Sequence, residues 1–298
     1  MNKVITALAA LISLESFAQQ ISDTIDARRS NQRLDSLYLA AAESDTERLK
    51  LVHAEPLFID LIRDLGARKG EREWNIGMGL TDNLDVDRYD ALIEYEWAPV
   101  DRIGLEVELP VSIYGPSRTG SASGSSQINS LKLATQWTML VSDRFNTSLA
   151  LGYIHEFELA HSSMWGKEGE RIVNGIVANP FFVAAKRWGS NWHSLIYTGP
   201  RMLRHFGTDK WDFNYDINLN ANYMIPGTRN FVGLEVNQVI RGTGDVDITF
   251  RPQMRVGIAD NLIVGIATGI PILREDERMS SFIRLIYEPG HRHHHPHR

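Results

Sequence analysis

Between Arg102 and Tyr114 the chain alternates with a period of two. Ile103, Leu105, Val107, Leu109, Val111 and Ile113 form one wholly apolar face, and Gly104, Glu106, Glu108, Pro110 and Ser112 form the other. Such alternation predicts a β-strand with one oily and one wet side. Strands of soluble sandwiches run to about five or six residues. A tilted strand that crosses an outer membrane needs about nine to eleven, apolar outward and polar toward the lumen. This stretch is long enough to span.

The pattern recurs. From Glu71 onward about twelve strands are expected, near 72–80, 88–98, 102–114, 128–141, 145–159, 172–187, 192–203, 211–225, 231–241, 246–258, 262–273 and 281–288. The eighth sets Trp211, Phe213, Tyr215, Ile217, Leu219, Ala221, Tyr223 and Ile225 against Asp212, Asn214, Asp216, Asn218, Asn220 and Asn222. In the tenth, Val246, Ile248, Phe250, Met254, Val256 and Ile258 oppose Asp247, Thr249, Arg251, Gln253 and Arg255. Pro252 lacks an N–H and must sit at a bulge or a weakly paired spot. Connections after even strands are short, such as 99–101, 142–144 and 259–261. Those after odd strands are mostly longer, such as 115–127 and 160–171. This rhythm separates the two rims of an outer-membrane barrel and puts both chain ends on the periplasmic side. Trp74, Trp97, Tyr114, Trp188, Trp192, Trp211, Tyr223 and Tyr287 lie near strand ends, as interfacial girdles require. A soluble all-β protein would also alternate, but strand length and loop rhythm weigh against it. The expected fold is therefore an all-β transmembrane antiparallel barrel of about twelve strands over 71–289.

The remaining segments do not read as strands. Lys3, the apolar run Val4–Leu14 and the small residues around Ser16-Phe17-Ala18 predict a signal peptide over 1–18, cleaved after Ala18. Residues 19–70 are expected to be a helical periplasmic segment. Leu34, Leu37, Tyr38, Ala41, Ala42 and Leu49 suggest an amphipathic helix over Arg33–Leu51. Leu57, Phe58, Leu61, Ile62 and Leu65 suggest a second, ended by Gly66. This section would cap the periplasmic mouth or sit within it. Residues 290–298 form a His-rich tail.

Composition narrows the function. A hydrophobic content of 43% and a charged content of 23% suit a barrel, in which half of each strand is polar. The net charge of −6 and the lack of basic runs argue against nucleic acid as a partner. With no cysteine, a disulfide framework, a zinc–thiolate site and a thiol nucleophile are excluded. No cofactor is expected.

Two resemblances follow. His53-Ala54-Glu55-Pro56-Leu57, followed by Asp64-Leu65-Gly66-Ala67 and Glu71 to Asn75, resembles a family of exported bacterial proteins with an HAEPL block before a β-rich body. That resemblance covers 53 to about 114 and implies no particular chemistry. The hairpin texture of SDRFNTSLALGY and ADNLIVGIATGIPI is similar to the outer-membrane barrels of the MetA-pathway phenol-degradation group. That likeness implies transport of small organic molecules.

Candidate chemistry lies mainly on the polar parities. Glu94, Glu96, Glu106, Glu108, Glu156 and Glu158 come from the second, third and fifth strands; Arg251, Arg255 and Arg284 come from the tenth and twelfth, with Lys132 and Arg187 elsewhere. Acidic and basic walls of a water-wide lumen would orient charged or dipolar solutes, or would neutralise one another as internal salt bridges. His161 and Ser163 are spaced as in the His-x-Ser of outer-membrane phospholipase and lipid A deacylase barrels. Met164 and Trp165 follow where those families have Asn, and no orienting acid is near. His53 and Glu55 would hold a turn or ligate weakly. His291, His293, His294, His295 and His297 give the tail affinity for Zn²⁺, Ni²⁺ or Cu²⁺. Gly115 to Gln127 lacks the elements of a phosphate-cradling loop.

The expectation is thus a non-catalytic outer-membrane barrel, exported to the outer membrane of a Gram-negative bacterium, that passes or takes up small polar or organic solutes. One alternative is a lipid hydrolase using His161 and Ser163. The other is an assembly barrel whose residues 19–70 bind a periplasmic protein. Outer-membrane lipid is a partner in every case.

Overall fold

The computed structural model of the chain describes residues 27–34, 36–37, 50–59, 61–120, 126–167, 171–208, 210–273 and 277–289. The signal peptide and the histidine tail fall outside the described residues.

Thirteen strands follow one another: β1 (Arg72–Asn83), β2 (Arg88–Val100), β3 (Ile103–Tyr114), β4 (Gln127–Ile128), β5 (Ser130–Ser142), β6 (Thr147–Leu159), β7 (Val173–Trp188), β8 (Trp192–His205), β9 (Asp212–Met224), β10 (Phe231–Arg241), β11 (Val246–Ala259), β12 (Leu262–Pro271) and β13 (Glu277–Tyr287). Strand β4 is a two-residue extension of β5 beyond Asn129, and both pair with β3. The barrel therefore has twelve staves. Each pairs antiparallel with its sequence neighbour, and β13 pairs with β1, so the sheet closes and no edge is left.

Alternation decides which side chains point in. In β3, Gly104, Glu106, Glu108 and Ser112 are buried while Leu109 and Ile113 are exposed. In β9, Asn218, Asn220 and Asn222 are buried while Phe213, Tyr215 and Leu219 face out. A soluble protein would reverse this, and an apolar exterior around a polar interior is the arrangement lipid demands. No helix among the described residues is long and apolar enough to cross a membrane. Outward aromatics collect at the rim carrying the short turns: Trp74 tilts against Tyr95 at 4.6 Å, Tyr95 stacks on Trp97 at 5.5 Å, and Trp192 meets Tyr223 edge-to-face at 5.2 Å. Tyr114 is different. It shares the inward parity of Ser112, lines a cavity and belongs to no girdle. Pro252 faces outward, and the β11–β12 ladder is interrupted there, passing from Phe250↔Ile270 to Gln253↔Ala267.

The segment before the barrel departs from expectation. Helix is present at 27–34 and 36–37, starting before the expected Arg33, while residues 38–49 of the expected span lie outside the described residues; Leu34 lies against Gly227 of the 225–230 turn. Residues 51–59 and 61–67 are not helical. They run as irregular chain, and Leu51, Ala54, Leu57, Leu61, Ile62, Leu65 and Ala67 are each at most 5% exposed. Their apolar spacing serves another purpose. Leu61, Ile62 and Leu65 pack on Ala134, Ala150, Phe181, Val183, Ala185, Leu195 and Tyr197, the inward side chains of β5 to β8. Leu57 and Ala54 pack on Met224 and Phe231. The segment is a plug seated inside the barrel.

Candidate functional site: a plugged lumen

Irregular chain inside a barrel must find partners for its backbone donors. The wall supplies them. Ala54 N donates to His193 Nδ1 (3.0 Å), Leu57 N to Gln253 Oε1 (2.9 Å), Phe58 N and Ile59 N to Glu235 (3.3 and 3.1 Å), and Gly66 N to Thr138 Oγ1 (2.8 Å). Arg63 N donates to Glu96. In return Asn222 Nδ2 donates to Ala54 O (3.2 Å) and Gln136 Nε2 to Arg63 O (3.1 Å). These partners sit on β2, β5, β8, β9, β10 and β11, near the short-turn ends of their strands. The plug therefore crosses the whole lumen at that mouth. Helix was the wrong expectation for 57–65 because these N–H groups bind wall side chains in place of the carbonyls four residues back.

Two glycines make room. A Cβ on Gly104 would lie 2.1 Å from Ile62 O, and one on Gly265 would lie 2.5 Å from Leu57 Cδ2. The plug is also pinned at its base. Lys50 pairs with Asp64 and, at 3.2 Å, with Glu71. Glu55 accepts from Leu65 N at 3.2 Å. Burial and the neighbouring Asp64 carboxylate hold Glu55 well above the usual carboxylate range. Despite its burial, Asp64 is held well below that range by Lys50 and Arg63. His53 is buried, with Nε2 3.0 Å from Ser148 Oγ. Burial, then the charges of His193 and Arg187, push it down to about 3, so it sits neutral in the plug.

The polar-parity residues fall into separate groups. Glu94, Glu96 and Glu106 are at most 3% exposed. Asn75 Nδ2 lies 3.0, 2.6 and 2.8 Å from Glu73, Glu94 and Glu96. The plug answers this acidic wall with Arg63, whose Nη1 is 2.5 Å from Glu73 Oε2. Lys132 pairs with Glu108 at 2.7 Å. Glu156 takes Ser130 Oγ at 2.6 Å and Arg201 at 3.5 Å, and Glu158 takes His205 at 3.1 Å. Arg251 is buried, bonded to Asn237 (2.6 Å) and Ser280 (3.0 Å), and its guanidinium lies 3.4 Å over the Phe58 ring of the plug. Arg255 lies over Phe231 at 4.8 Å and Arg284 over Phe282 at 5.5 Å, while Arg187 reaches Asn146 at 3.3 Å. β11, which carries Arg251 and Arg255, lies five staves from β3 and five from β6 in the circuit of twelve. β13 pairs with β1, which pairs with β2, so Arg284 stands beside the acidic wall.

His161 Nδ1 is 2.7 Å from Ser163 Oγ on an exposed 3₁₀ turn, and the same nitrogen caps Ser163 N. Among the described residues no carboxylate bonds to this imidazole. Sequence reasoning missed Glu235, Gln253, Asn222, His193 and Thr138. All lie on inward parities, but nothing local marks them as plug acceptors. Gly104, an inward glycine within a strand, was the readable sign of a close backbone approach.

A closed twelve-stave barrel with an apolar exterior, a polar lumen and a plug at one mouth defines an outer-membrane-type barrel fold. The chain belongs to the HAEPLYID-like family, whose model matches residues 49–288. The octapeptide that gives the family its description is the plug segment itself, here HAEPLFID at 53–60. Among solved structures, an outer membrane channel from Pseudomonas putida F1 aligns at 13% identity with a TM-score of 0.58, covering 77% of this chain and 99% of that one. The KdgM porin aligns at 12% identity with a TM-score of 0.49, covering 72% and 98%. At such identities the likeness is one of fold. A search of curated proteins finds no match.

Proposed function

We propose that this protein is a non-catalytic outer-membrane channel for small solutes, closed at its short-turn mouth by residues 51–67. The observation that carries this reading is the plug, which crosses the lumen and is held by side-chain packing on the wall and by hydrogen bonds from its backbone to wall side chains. The strand ladder closes on itself without any plug residue, and water can replace the plug's hydrogen bonds, so the plug can leave without the barrel unfolding. Twelve staves enclose an interior wide enough for water once it has gone. The chain is exported by a signal peptide cleaved after Ala18 and inserts with its short turns toward the periplasm, so residues 19–70 start on that side. The helix at 27–37 exposes Leu34 (47%) and Leu37 (45%) beside that mouth, which favours a periplasmic protein as the agent that draws the plug out.

The test is single-channel conductance of the refolded mature protein in a planar bilayer, with and without residues 19–70. Rare steps from the full chain and frequent steps after deletion are expected. Equal, continuous conductance of both would refute the plug, and a deletion variant that inserts but never conducts would refute the channel.

A further inference from the structure

On the long-loop side of the plug, the inner faces of β1, β2, β3 and β13 line a half-open cavity of about 360 Å³. Its upper part is polar. Arg88 Nε donates to Asp90 Oδ2 at 2.9 Å, Ser112 Oγ donates to Asp90 Oδ1 at 2.6 Å, and Asn129 Nδ2 donates to Ser112 Oγ at 2.7 Å. This relay occupies both oxygens of Asp90 and fixes the guanidinium through one nitrogen only. Among the described residues neither Nη of Arg88 has a partner. Tyr114, opposite Arg88 in the β2–β3 ladder, points into the same cavity. The lower part is apolar, made by Leu92, Pro110 and Phe282. Gly77 lets this floor form, since a Cβ there would lie 2.8 Å from Leu92 Cγ and 2.9 Å from Phe282 Cζ. The Phe58 ring of the plug meets Phe282 edge-on at 6.0 Å, and Leu92 and Pro110 complete the floor beside it.

The geometry points to a binding site for a small monocarboxylate with an apolar body, its carboxylate on the open edge of Arg88 and its body on Leu92 and Phe282. A guanidinium with two adjacent open N–H groups matches a carboxylate bidentately. The phenol of Tyr114 adds a donor. The next inward residue below Leu92 on β2 is Glu94, at the acidic wall. A carboxylate at that end would be repelled, so the ligand is held head outward. A cationic head is disfavoured, since Arg88 occupies the polar end and Asp90 is already engaged. The volume is at the small end of ligand sites, so the body is small. The site deepens the channel reading by naming a solute class, and it rests on that reading only in treating the ligand as a transported solute.

The test is calorimetric titration of the refolded full chain in detergent with benzoate, benzamide, benzylamine and formate, with folding followed by heat-dependent mobility on gels. Benzoate should bind at least tenfold more tightly than any of the others. Arg88→Gln should abolish the preference for benzoate over benzamide and leave benzamide within twofold. Phe282→Ala should weaken benzoate and benzamide together. Benzamide or benzylamine binding as well as benzoate, formate matching it, or Arg88→Gln keeping the preference would overturn the site. Conductance of the same preparations separates this proposal from the channel reading. A protein that conducts once its plug is removed but ignores benzoate refutes the site alone. One that binds benzoate but never conducts refutes the channel alone.

Discussion

Gly104→Ala is the smallest change that should open this barrel. The added methyl would sit 2.1 Å from the Ile62 carbonyl oxygen and 3.0 Å from both Ile62 C and Arg63 Cβ. That is more than an ångström inside van der Waals contact, roughly 3.5–4 Å between carbons. The obstacle is backbone, so no rotamer change relieves it. The plug must shift, and its neighbouring bonds suffer: Gln136 Nε2 to Arg63 O at 3.1 Å, Gly66 N to Thr138 at 2.8 Å, and Arg63 N to Glu96. Overpacking of this kind costs about 1–3 kcal/mol. At about 1.4 kcal/mol per factor of ten, the closed-to-open ratio should fall by roughly 5- to 150-fold. Alanine fits an extended strand, so the barrel itself should keep its heat-dependent gel mobility. The assay is open probability of single channels in a planar bilayer. Gly265→Ala is the graded control, because its Cβ meets the tip of Leu57, a flexible side chain that can turn away, and its effect should be several times smaller. If Gly104→Ala conducts like the parent protein, the Ile62 turn is not seated against β3 and the plug assignment fails.

Acid should also open the channel. His53 is held neutral in the docked plug at a pKa of about 3 against 6.5 when released, so the released state binds the extra proton between those values. Docking is then weakened by about 1.4 kcal/mol for each pH unit below 6.5; open probability should rise as pH falls from 7 to 5, and His53→Gln should flatten that rise. Glu55 acts in the opposite sense, because its raised pKa makes its contribution fade as pH rises through that value, so docking is strongest at intermediate pH. Phe58→Ala removes the ring under Arg251 and the edge contact to Phe282, whose centroid is 6.0 Å away. That loss is about 1–2 kcal/mol, and amide hydrogen exchange of residues 54–66 should speed up by roughly 5- to 30-fold. Ser163→Ala should leave any ester cleavage in detergent unchanged; a loss of cleavage would turn the 2.7 Å contact with His161 into a catalytic one.

The barrel was legible because lipid and lumen impose opposite demands on neighbouring residues. Glu106 and Leu109, or Asn220 and Leu219, declare their sides without reference to the rest of the chain. The rule loses its grip on β7 and β8. There Phe181, Val183, Leu195 and Tyr197 are apolar and inward because they meet the plug, and among their neighbours Pro180, Phe182, Ala184 and Ile196 are apolar and outward because they meet lipid. A strand apolar on both faces gives no parity to read, and that absence was itself the trace of a covered interior. The plug was illegible for a related reason. The spacing of Leu57, Phe58, Leu61, Ile62 and Leu65 does record a surface it packs on, but that surface is the barrel wall and its backbone partners lie far along the chain: Gln253 and Glu235 for Leu57 to Ile59, Thr138 for Gly66. Local pattern cannot tell an amphipathic helix from a strap whose donors are satisfied at long range.

The HAEPLFID octapeptide can be read residue by residue in these terms. His53 bonds Ser148, the Ala54 amide and carbonyl meet His193 and Asn222, Glu55 ties back to Leu65, Leu57 fills the space over Gly265, and Phe58 carries Arg251. Pro56 has no N–H and so needs no acceptor, between Ala54 and Leu57, whose amides each take a wall side chain. The family description has tyrosine where this chain has Phe58. The ring face that receives Arg251 is common to both side chains, so that contact does not depend on the difference. Every side chain in this account is spent on holding the plug in the wall and none lines the Arg88 cavity. Closure and solute recognition therefore meet at Phe282, which the Phe58 ring touches at 6.0 Å, and away from that contact variants in one half should leave the other's readout unmoved.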